Sequence, residues 1–332
     1  MRGTPARPAA ARAWRRLLAA VALCTLTGGV ATAQKVNPVR IGALSESWGP
    51  TPQVIGLRDG LKALGYRDDV DFTIGVRFTQ GNPGELTAAA RDLVRRGVDI
   101  IVAGETSNAA EAARDATDRV PIVFIGGSDP VGIGLVKSLA RPGGNITGIA
   151  DLDIELVPKR MELFREMVPS LKRVLLVYDA TTRLADSVLQ VHRDAAKRLG
   201  LTLVERPVRS EEDAKGAVTA VRKSVAEGLL SPRLLSLNIP GYIHEARETV
   251  PTMQHSAFFV ERGALASYAA DQHELGREAA RLVDRILKGA RPGEVPVQQA
   301  TKFELVVNLG TARALGLTIP QAVLLRADRI IE

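Results

Sequence analysis

The sequence predicts an α/β protein of two similar lobes, each a mainly parallel sheet flanked by helices. Short apolar runs alternate with amphipathic helical segments, which is typical of strands joined by crossover helices. The alternation begins again after residue 150, and 332 residues with 45% hydrophobic content are enough for two cores. Glycine stands where helical segments end, as at Gly65 and Gly97.

The first half holds four strand candidates in succession. They are VRIGALS (39–45), DFTIGVRF (71–78), VDIIVAG (98–104) and VPIVFIG (120–126). Helical segments follow the first three. After the fourth, Asp129 and Pro130 predict a short helix, because proline fits a first helical turn. Parallel strands need such crossovers, so these units predict a parallel sheet.

The second half repeats the pattern. Its strand candidates are RVLLVYD (173–179), LTLVERPV (201–208), RLLSLN (233–238), SAFFVE (256–261) and ALASY (264–268). Ser210 indicates a helix start and Gly228 its stop. Asp271, with Glu274 three residues later, begins a long helix that ends at Gly289.

Residues 1–33 are typical of a cleavable secretory signal peptide. Five arginines precede the apolar run LLAAVALCTLTGGV (17–30), and the segment contains no acidic residue. The run leads to the small residues ATA at 31–33. The run is shorter than a membrane-spanning helix. Cleavage after Ala33 is expected to leave Gln34 as the new amino terminus, with the protein in the periplasm. Lipidation at Cys24 is the alternative, but Leu23 stands where such sites have a small residue.

Charge and cysteine content narrow the function classes. Loss of the leader removes five arginines, so the formal net charge falls from +7 to +2. The mature chain therefore lacks the strong positive charge that would favour a nucleic-acid partner. Cys24, the sole cysteine, lies in the leader. The exported chain is therefore expected to have no disulfide, no thiol nucleophile and no cysteine metal site.

Catalytic and cofactor motifs are incomplete. Pro130 stands where a nucleophile elbow around Ser128 needs glycine. HEARE at His244 and HELGR at His273 lack the second histidine of a zinc-protease helix. GIGLVK at 132–137 has neither phosphate-loop nor dinucleotide spacing. The sequence thus predicts a non-enzyme with no catalytic residue, no metal and no cofactor.

Polar and small residues gather where the predicted strands end. They include Ser45, Glu46 and Ser47 after the first strand, and Glu105, Thr106 and Ser107 after the third. Ser128, Asp129, Asp179, Thr181, Thr182 and Asn238 follow later strands. In open parallel sheets ligands bind at these carboxyl ends, so the pattern predicts a binding cleft. Each residue taken singly also fits a turn or a helix cap.

Several segments together resemble the ABC transporter substrate-binding protein family that includes tryptophan-type binding proteins. The most specific are PIVFIGGSDPVGIGLVKSLARPGGNITGI (121–149) and LLRADRIIE (324–332); RIGALS, GLKALGY, ALASYAADQHELGREAARLVDRILKGARPGEVPV and TKFELVVNLGTARALGLTIP also match, in order. The resemblance implies a type I periplasmic-binding fold whose lobes close by a hinge on a small solute. It also implies delivery to an ABC permease of the inner membrane with a cytoplasmic ATPase.

With this resemblance the chain divides into a signal peptide (1–33), an amino-terminal lobe (36–147), a carboxyl-terminal lobe (148–268), and a hinge-crossing helix with a carboxyl-terminal tail that returns across the lobes (269–332). A monomer is expected. The predicted ligand-binding residues are Ser45, Ser47, Trp48, Thr106, Ser107, Ser128, Asp129, Asp179, Thr181, Asn238, Tyr268 and Asp271. The first-lobe hydroxyls would meet a carboxylate at helix amino termini, and Trp48 would stack on an apolar part.

Two departures from the family pattern bear on the ligand. Relatives often have Gly-Thr-Pro-Ala where this chain has Glu105, Thr106, Ser107 and Asn108. Amino-acid-binding relatives show an aspartate where Asn238 stands, so the ligand class stays open between an amino acid and another small organic solute. A secreted α/β enzyme and a sensor ectodomain that signals to a membrane receptor remain the alternatives.

Overall fold

The computed structural model describes residues 37–332 except positions 48, 50, 81, 183, 222–224 and 233–238, and its strands form two sheets. The first sheet contains β1 (Val39–Ser45), β2 (Phe72–Phe78), β3 (Ile100–Gly104), β4 (Ile122–Ile125), β5 (Ile146–Ala150) and β11 (Gln298–Gln299). The second contains β6 (Arg173–Asp179), β7 (Thr202–Val208), β8 (Gly228–Leu230), β9 (Thr252–Gln254), β10 (Ala266–Ala270), β12 (Phe303–Asn308) and β13 (Arg329–Ile331).

Helices cover the faces of both sheets. Around the first sheet lie α1 (Pro52–Ala63), α2 (Leu86–Arg95), α3 (Ser107–Ala116) and α9 (Gln272–Leu287). The second lobe contains α4 (Val157–Met167), α5 (Ala185–Leu199), α6 (Glu211–Thr219), α7 (Ile239–Glu245), α8 (Ala257–Val260), α10 (Leu309–Ala314) and α11 (Gln321–Leu324). Short 3-10 turns occur at Pro83–Glu85, Ala246–Glu248 and Pro292–Glu294. No helix in the described ranges is long and apolar enough to span a bilayer.

Strand order confirms the predicted α/β class. The first sheet runs β11-β5-β4-β3-β1-β2 with parallel pairing throughout. The second runs β13-β12-β10-β9-β8-β6-β7, and only its β10–β12 pair is antiparallel among the described strands. Central strands such as β3 and β4 are buried along their length, which is why they read as continuous apolar runs.

Three segments carry the chain between the lobes. The first follows β5 and leads into α4, and the second joins β10 to α9 at Asp271. The third, residues 300–302, joins β11 of the first sheet to β12 of the second. The sequence predicts crossings near NITGI (145–149) and ALASY (264–268) and a tail that returns across the lobes. It does not locate the third crossing, because a two-residue strand such as β11 has no period of its own.

Helices α1 and α9 pack at very short range. A Cβ added at Gly56 would lie 1.9 Å from the carbonyl oxygen of His273, and one at Gly276 would lie 2.1 Å from that of Gln53. Only glycine lets the two backbones approach this closely. The contact fixes α9, which follows the second crossing, on the first lobe.

Three local predictions are wrong. The segment after Asp129 forms turns rather than a helix, with Gly134 in the left-handed region (φ 72°). SAFFVE forms α8, capped by the Ser256 hydroxyl, since short apolar runs do not distinguish helix from strand. Gly228 is the first residue of β8 and does not end a helix. The glycine is explained by packing instead, since a Cβ there would lie 2.6 Å from the Phe164 ring. The predicted strand RLLSLN lies outside the described residues.

Candidate functional site

A cavity of about 310 Å³ lies between the lobes, at the carboxyl ends of the strands. The first lobe lines it with Thr106, Ser107, Asn108, Glu111, Ser128 and Ile133. The second lobe contributes an apolar wall of Ile154, Val157, Leu184 and Val188, together with Asp153 and His192. The volume is at the lower end of small-molecule pockets, and one side is polar while the other is largely apolar.

The amino terminus of α3 forms the polar side. Thr106 caps the helix, since its hydroxyl accepts from the Ala109 N–H at 3.2 Å. The same hydroxyl donates to the Glu46 carboxylate at 2.7 Å. The first backbone N–H groups of a helix have no partner inside it, so those of Ser107 and Asn108 are donors at the cavity edge. Helix dipole and N–H groups together favour an anionic group there.

A glycine loop lies against this helix end. Gly126 and Gly127 have φ of 88° and 109°, a region that favours glycine. A Cβ added at Gly127 would lie 3.4 Å from Ser107 Oγ, which measures how closely the loop approaches α3. The loop places the Ser128 hydroxyl beside that of Ser107 on the cavity wall.

Glu105, immediately before the cap, is held in a strained conformation. Its φ of 70° is unusual for a residue with a side chain. The Glu105 N–H donates to Gln53 Oε1 at 2.9 Å, and its carboxylate accepts from the Ser45 hydroxyl. Ser45 Oγ also lies 2.8 Å from Ser47 Oγ. A φ in this region favours glycine, so the glutamate side chain is carried at a conformational cost. Strain at such a strand end is characteristic of binding sites.

On the second lobe an aspartate shapes the cavity loop. Asp179 ends β6, and its Oδ1 accepts from both the N–H (2.7 Å) and the hydroxyl (2.6 Å) of Thr181. The Thr181 and Thr182 side chains line the cavity, whereas the Asp179 carboxylate is turned to the loop itself. Asp179 therefore positions Thr181.

The buried ion pair Arg160–Asp153 lies under the apolar wall. The Arg160 side chain is fully buried, its Nη2 lies 2.5 Å from Asp153 Oδ1, and its Nε donates to the Tyr268 carbonyl at 3.0 Å. Asp153 belongs to the first crossing and Tyr268 precedes the second. One guanidinium thus ties the first crossing segment and β10, the strand that leads into the second crossing, to α4.

His192 is the buried histidine of the cavity. It is 1% exposed and lies on the same face of α5 as the apolar wall residue Val188, whose carbonyl oxygen is 2.7 Å from its Nδ1. Its Nε2 is buried and has no hydrogen-bond partner in the described part of the chain. Burial is the main cause that lowers its pKa to about 4, and the nearby Arg160 charge acts in the same direction.

Acidification is expected to destabilise the protein through His192. Its pKa is lowered from about 6.5, so between pH 6.5 and pH 4 the histidine is protonated in the unfolded state but neutral in the folded state. The free energy of unfolding is therefore highest above pH 6.5 and falls as the pH drops towards 4. Between pH 7 and pH 5 the loss is about 2 kcal/mol. Urea unfolding at a series of pH values measures it. The same series on His192→Gln, which cannot titrate, should have a flatter slope; equal slopes would contradict the assignment.

Other sequence-predicted site residues lie away from the cavity wall. Asp271 caps α9 through the Glu274 N–H and pairs with Lys302 at 2.8 Å; burial opposes its charge, but these bonds hold its pKa below the ordinary value. Asp129 accepts from the Gly132 N–H at 2.8 Å. The Tyr268 ring packs against that of Phe303. Trp48 and Asn238 lie outside the described residues.

The structure brings together four of the residues that the sequence pattern predicts, since Thr106, Ser107, Ser128 and Thr181 all line the cavity. The sequence pattern misses the apolar wall and His192, because residues at helical spacing read equally well as core. A histidine on the apolar face of α5, one turn after Val188, was the available signal.

Comparison with known proteins identifies the family. The sequence model of the family described as ABC transporter substrate binding protein matches residues 45–331. This chain belongs to that family. A tyrosine-binding protein of Clostridioides difficile (strain R20291) is 30% identical over 267 residues, 79% of this chain and 76% of the relative.

Solved structures agree with the assignment to the substrate-binding proteins. A conserved domain protein from Vibrio cholerae O1 biovar El Tor is 32% identical, with TM-score 0.76 over 88% of this chain and 99% of its own. An ABC domain from Streptococcus pneumoniae in complex with L-Trp is 28% identical, with TM-score 0.77 over 89% and 100%. The predicted family, two-lobed periplasmic-binding fold and solute-binding role are confirmed. Such proteins of ABC importers act outside the cytoplasm, and the family consists of binding proteins, not enzymes.

Proposed function

We propose that this substrate-binding protein captures a small carboxylate with an apolar or aromatic body, such as an amino acid, in the interlobe cavity. The observation that carries the proposal is the division of the cavity. Donors at the α3 amino terminus stand on the first lobe, opposite an apolar wall on the second. A ligand that bridges the two must have a charged or acceptor end and an apolar end.

The polar side is suited to a carboxylate. Thr106 uses its hydroxyl to cap α3 and to hold Glu46, which leaves Ser107, Ser128 and the first-turn N–H groups as donors. The helix fixes the first-turn N–H groups before the ligand arrives, so their alignment costs little conformational entropy on binding. The ligands of two similar proteins, the tyrosine-binding protein and the ABC domain in complex with L-Trp, support this class because both have a carboxylate and an aromatic body.

The three crossings support binding by lobe closure. A ligand held by both lobes has a higher affinity for the closed arrangement, and it shifts the population towards that state. We propose that the closed form delivers the solute to an ABC permease, that the protein acts as a monomer, and that it has no catalytic activity. We also propose export to the periplasm by a signal peptide cleaved after Ala33; residues 1–36 lie outside the described part of the chain.

Calorimetry with a ligand panel tests the carboxylate subsite. The panel contains aromatic and aliphatic amino acids, the corresponding amino-acid amides, amines and nucleosides. We expect binding of one or more free carboxylates and a loss of 10- to 100-fold for the matching amide, since a charge-assisted hydrogen bond is worth about 1.5–3 kcal/mol. Scattering measured with that ligand should show compaction.

A matched pair of variants localises the binding. The double variant Ser107→Ala, Ser128→Ala should weaken the bound carboxylate by roughly 10-fold or more, since two neutral hydrogen bonds contribute about 0.5–1.5 kcal/mol each. Ser138→Ala removes an exposed hydroxyl outside the cavity and should leave affinity unchanged. Equal affinity of acid and amide, or an unaffected double variant, would overturn the assignment.

A further inference from the structure

The second-lobe side of the cavity includes a buried histidine, His192, whose ring the proposed function does not use. We propose that His192 is a specificity-determining residue that accepts, through Nε2, a hydrogen bond from an O–H or N–H group on the apolar end of the ligand. The inference rests on the proposed function and narrows the ligand class. The ligand would be an aromatic or similarly flat carboxylate whose body ends in a donor, such as a phenol or an indole.

The backbone of α5 fixes which ring nitrogen is free. The Val188 carbonyl oxygen, one helical turn earlier, can only accept, so Nδ1 at 2.7 Å must donate and therefore bears the proton. In the neutral ring Nε2 is then an acceptor with an available lone pair. The ring is part of the cavity lining, and the hydrogen bond within its own helix makes Nε2 the acceptor.

The charges packed around the ring keep it neutral. Arg160 on α4 lies close enough to oppose protonation, and Asp153 on the first crossing, which favours it, is paired with that same arginine. Burial acts in the same direction as Arg160 and more strongly. With a pKa of about 4, the ring presents an acceptor rather than a second cation at neutral pH.

Burial makes an unsatisfied Nε2 energetically costly. The atom is inaccessible and has no partner among the described residues, while the ring borders a cavity walled by Val157, Leu184 and Val188. Packing alone would be served by leucine or phenylalanine at this position, without a buried polar atom. A ligand donor that displaces the atoms covering Nε2 would satisfy the acceptor, and an analogue that lacks the donor would leave it unpaired.

Matched ligand pairs test the inference directly. L-tyrosine and L-phenylalanine differ by one hydroxyl, and L-tryptophan and 1-methyl-L-tryptophan differ in the indole N–H. We expect the donor-bearing member of at least one pair to bind the wild-type protein roughly 10- to 100-fold more tightly by calorimetry.

Variants connect that preference to the ring. His192→Leu should bring the two affinities of the pair to within about 2-fold, chiefly by weakening the donor-bearing ligand. His192→Gln retains an acceptor and should retain part of the preference. His273→Gln changes a half-buried histidine that pairs with Asp59 outside the cavity, and it should behave as wild type. Circular dichroism checks that each variant is folded.

A spectroscopic readout does not depend on any variant. With ¹⁵N-labelled histidine, the Nε2 resonance of His192 should move on addition of the donor-bearing ligand and stay in place with its partner. If His192 served only for packing, neither ligand should move the Nε2 resonance.

The failure of this inference can be told apart from failure of the proposed function. Equal binding of both members in each pair, or a His192→Leu variant that keeps the preference, overturns the inference. If none of the four ligands binds, the inference is overturned as well, and the proposed function is then decided by the acid and amide pairs of the wider panel.

Discussion

Replacement of Arg160 by leucine is expected to lower the free energy of unfolding by about 3–5 kcal/mol. The substitution leaves the Asp153 carboxylate in the interior without its cation, and it removes the donor that satisfies the Tyr268 carbonyl. An unpaired buried charge costs more than the ion pair itself contributes, so most of the loss comes from what remains behind. Denaturant unfolding monitored by circular dichroism measures it.

Two controls separate charge burial from lost packing. Arg165→Leu changes an exposed arginine on the same helix and should alter stability by about 0.5 kcal/mol or less. The double variant Arg160→Leu, Asp153→Leu removes both charges and should be more stable than Arg160→Leu alone. If the double variant lost the sum of both single losses, the paired-charge explanation would be wrong.

Gly276→Ala should cost about 3 kcal/mol of unfolding free energy, although alanine is normally the better helix former. The added methyl group would lie 2.1 Å from the Gln53 carbonyl oxygen and 2.7 Å from the Leu57 nitrogen. Both contacts are backbone atoms of α1, so no side chain can turn aside. The helices must separate, and the apolar contacts around them weaken.

A glycine in an open position provides the matched control. Gly216 lies in α6, and a Cβ there would have no heavy atom within 4 Å. Gly216→Ala should therefore stabilise the protein by about 0.5–1 kcal/mol. Opposite signs for the two substitutions in the same unfolding assay are the expected result, and a stabilising Gly276→Ala would show that the α1–α9 contact can relax.

The fold was predictable where local patterns and tertiary structure agree. Strands such as β3 and β4 are short apolar runs buried throughout, and α9 is capped by Asp271 and followed by Gly289 as its sequence signals indicate. These signals depend on a few neighbouring residues. The antiparallel β12 and the two-residue β11 depend on partners from the other half of the chain, which no local window contains.

The candidate site was predictable only in part for the same reason. Strand-end hydroxyls at Thr106, Ser107 and Ser128 converge because the parallel strands β3 and β4 end at the same edge of the first sheet. Thr181 follows β6 of the second sheet and meets them from the other lobe. The apolar wall comes from helix faces, where a residue that lines a cavity has the same spacing as one in the core. Asp271 has the polarity of a binding residue, yet its tertiary partner Lys302 directs it to a structural role.

The three crossings also affect how the molecule responds to a cut in the chain. A protease that cleaves one crossing leaves two others intact, so the lobes stay covalently tethered. Cleavage after β5 would release no complete amino-terminal fragment, since α9 and β11, which complete that lobe, come much later in the chain. A protein cut after β5 should therefore migrate as two pieces under denaturing conditions and as a single species under native conditions, with the first lobe built from both pieces.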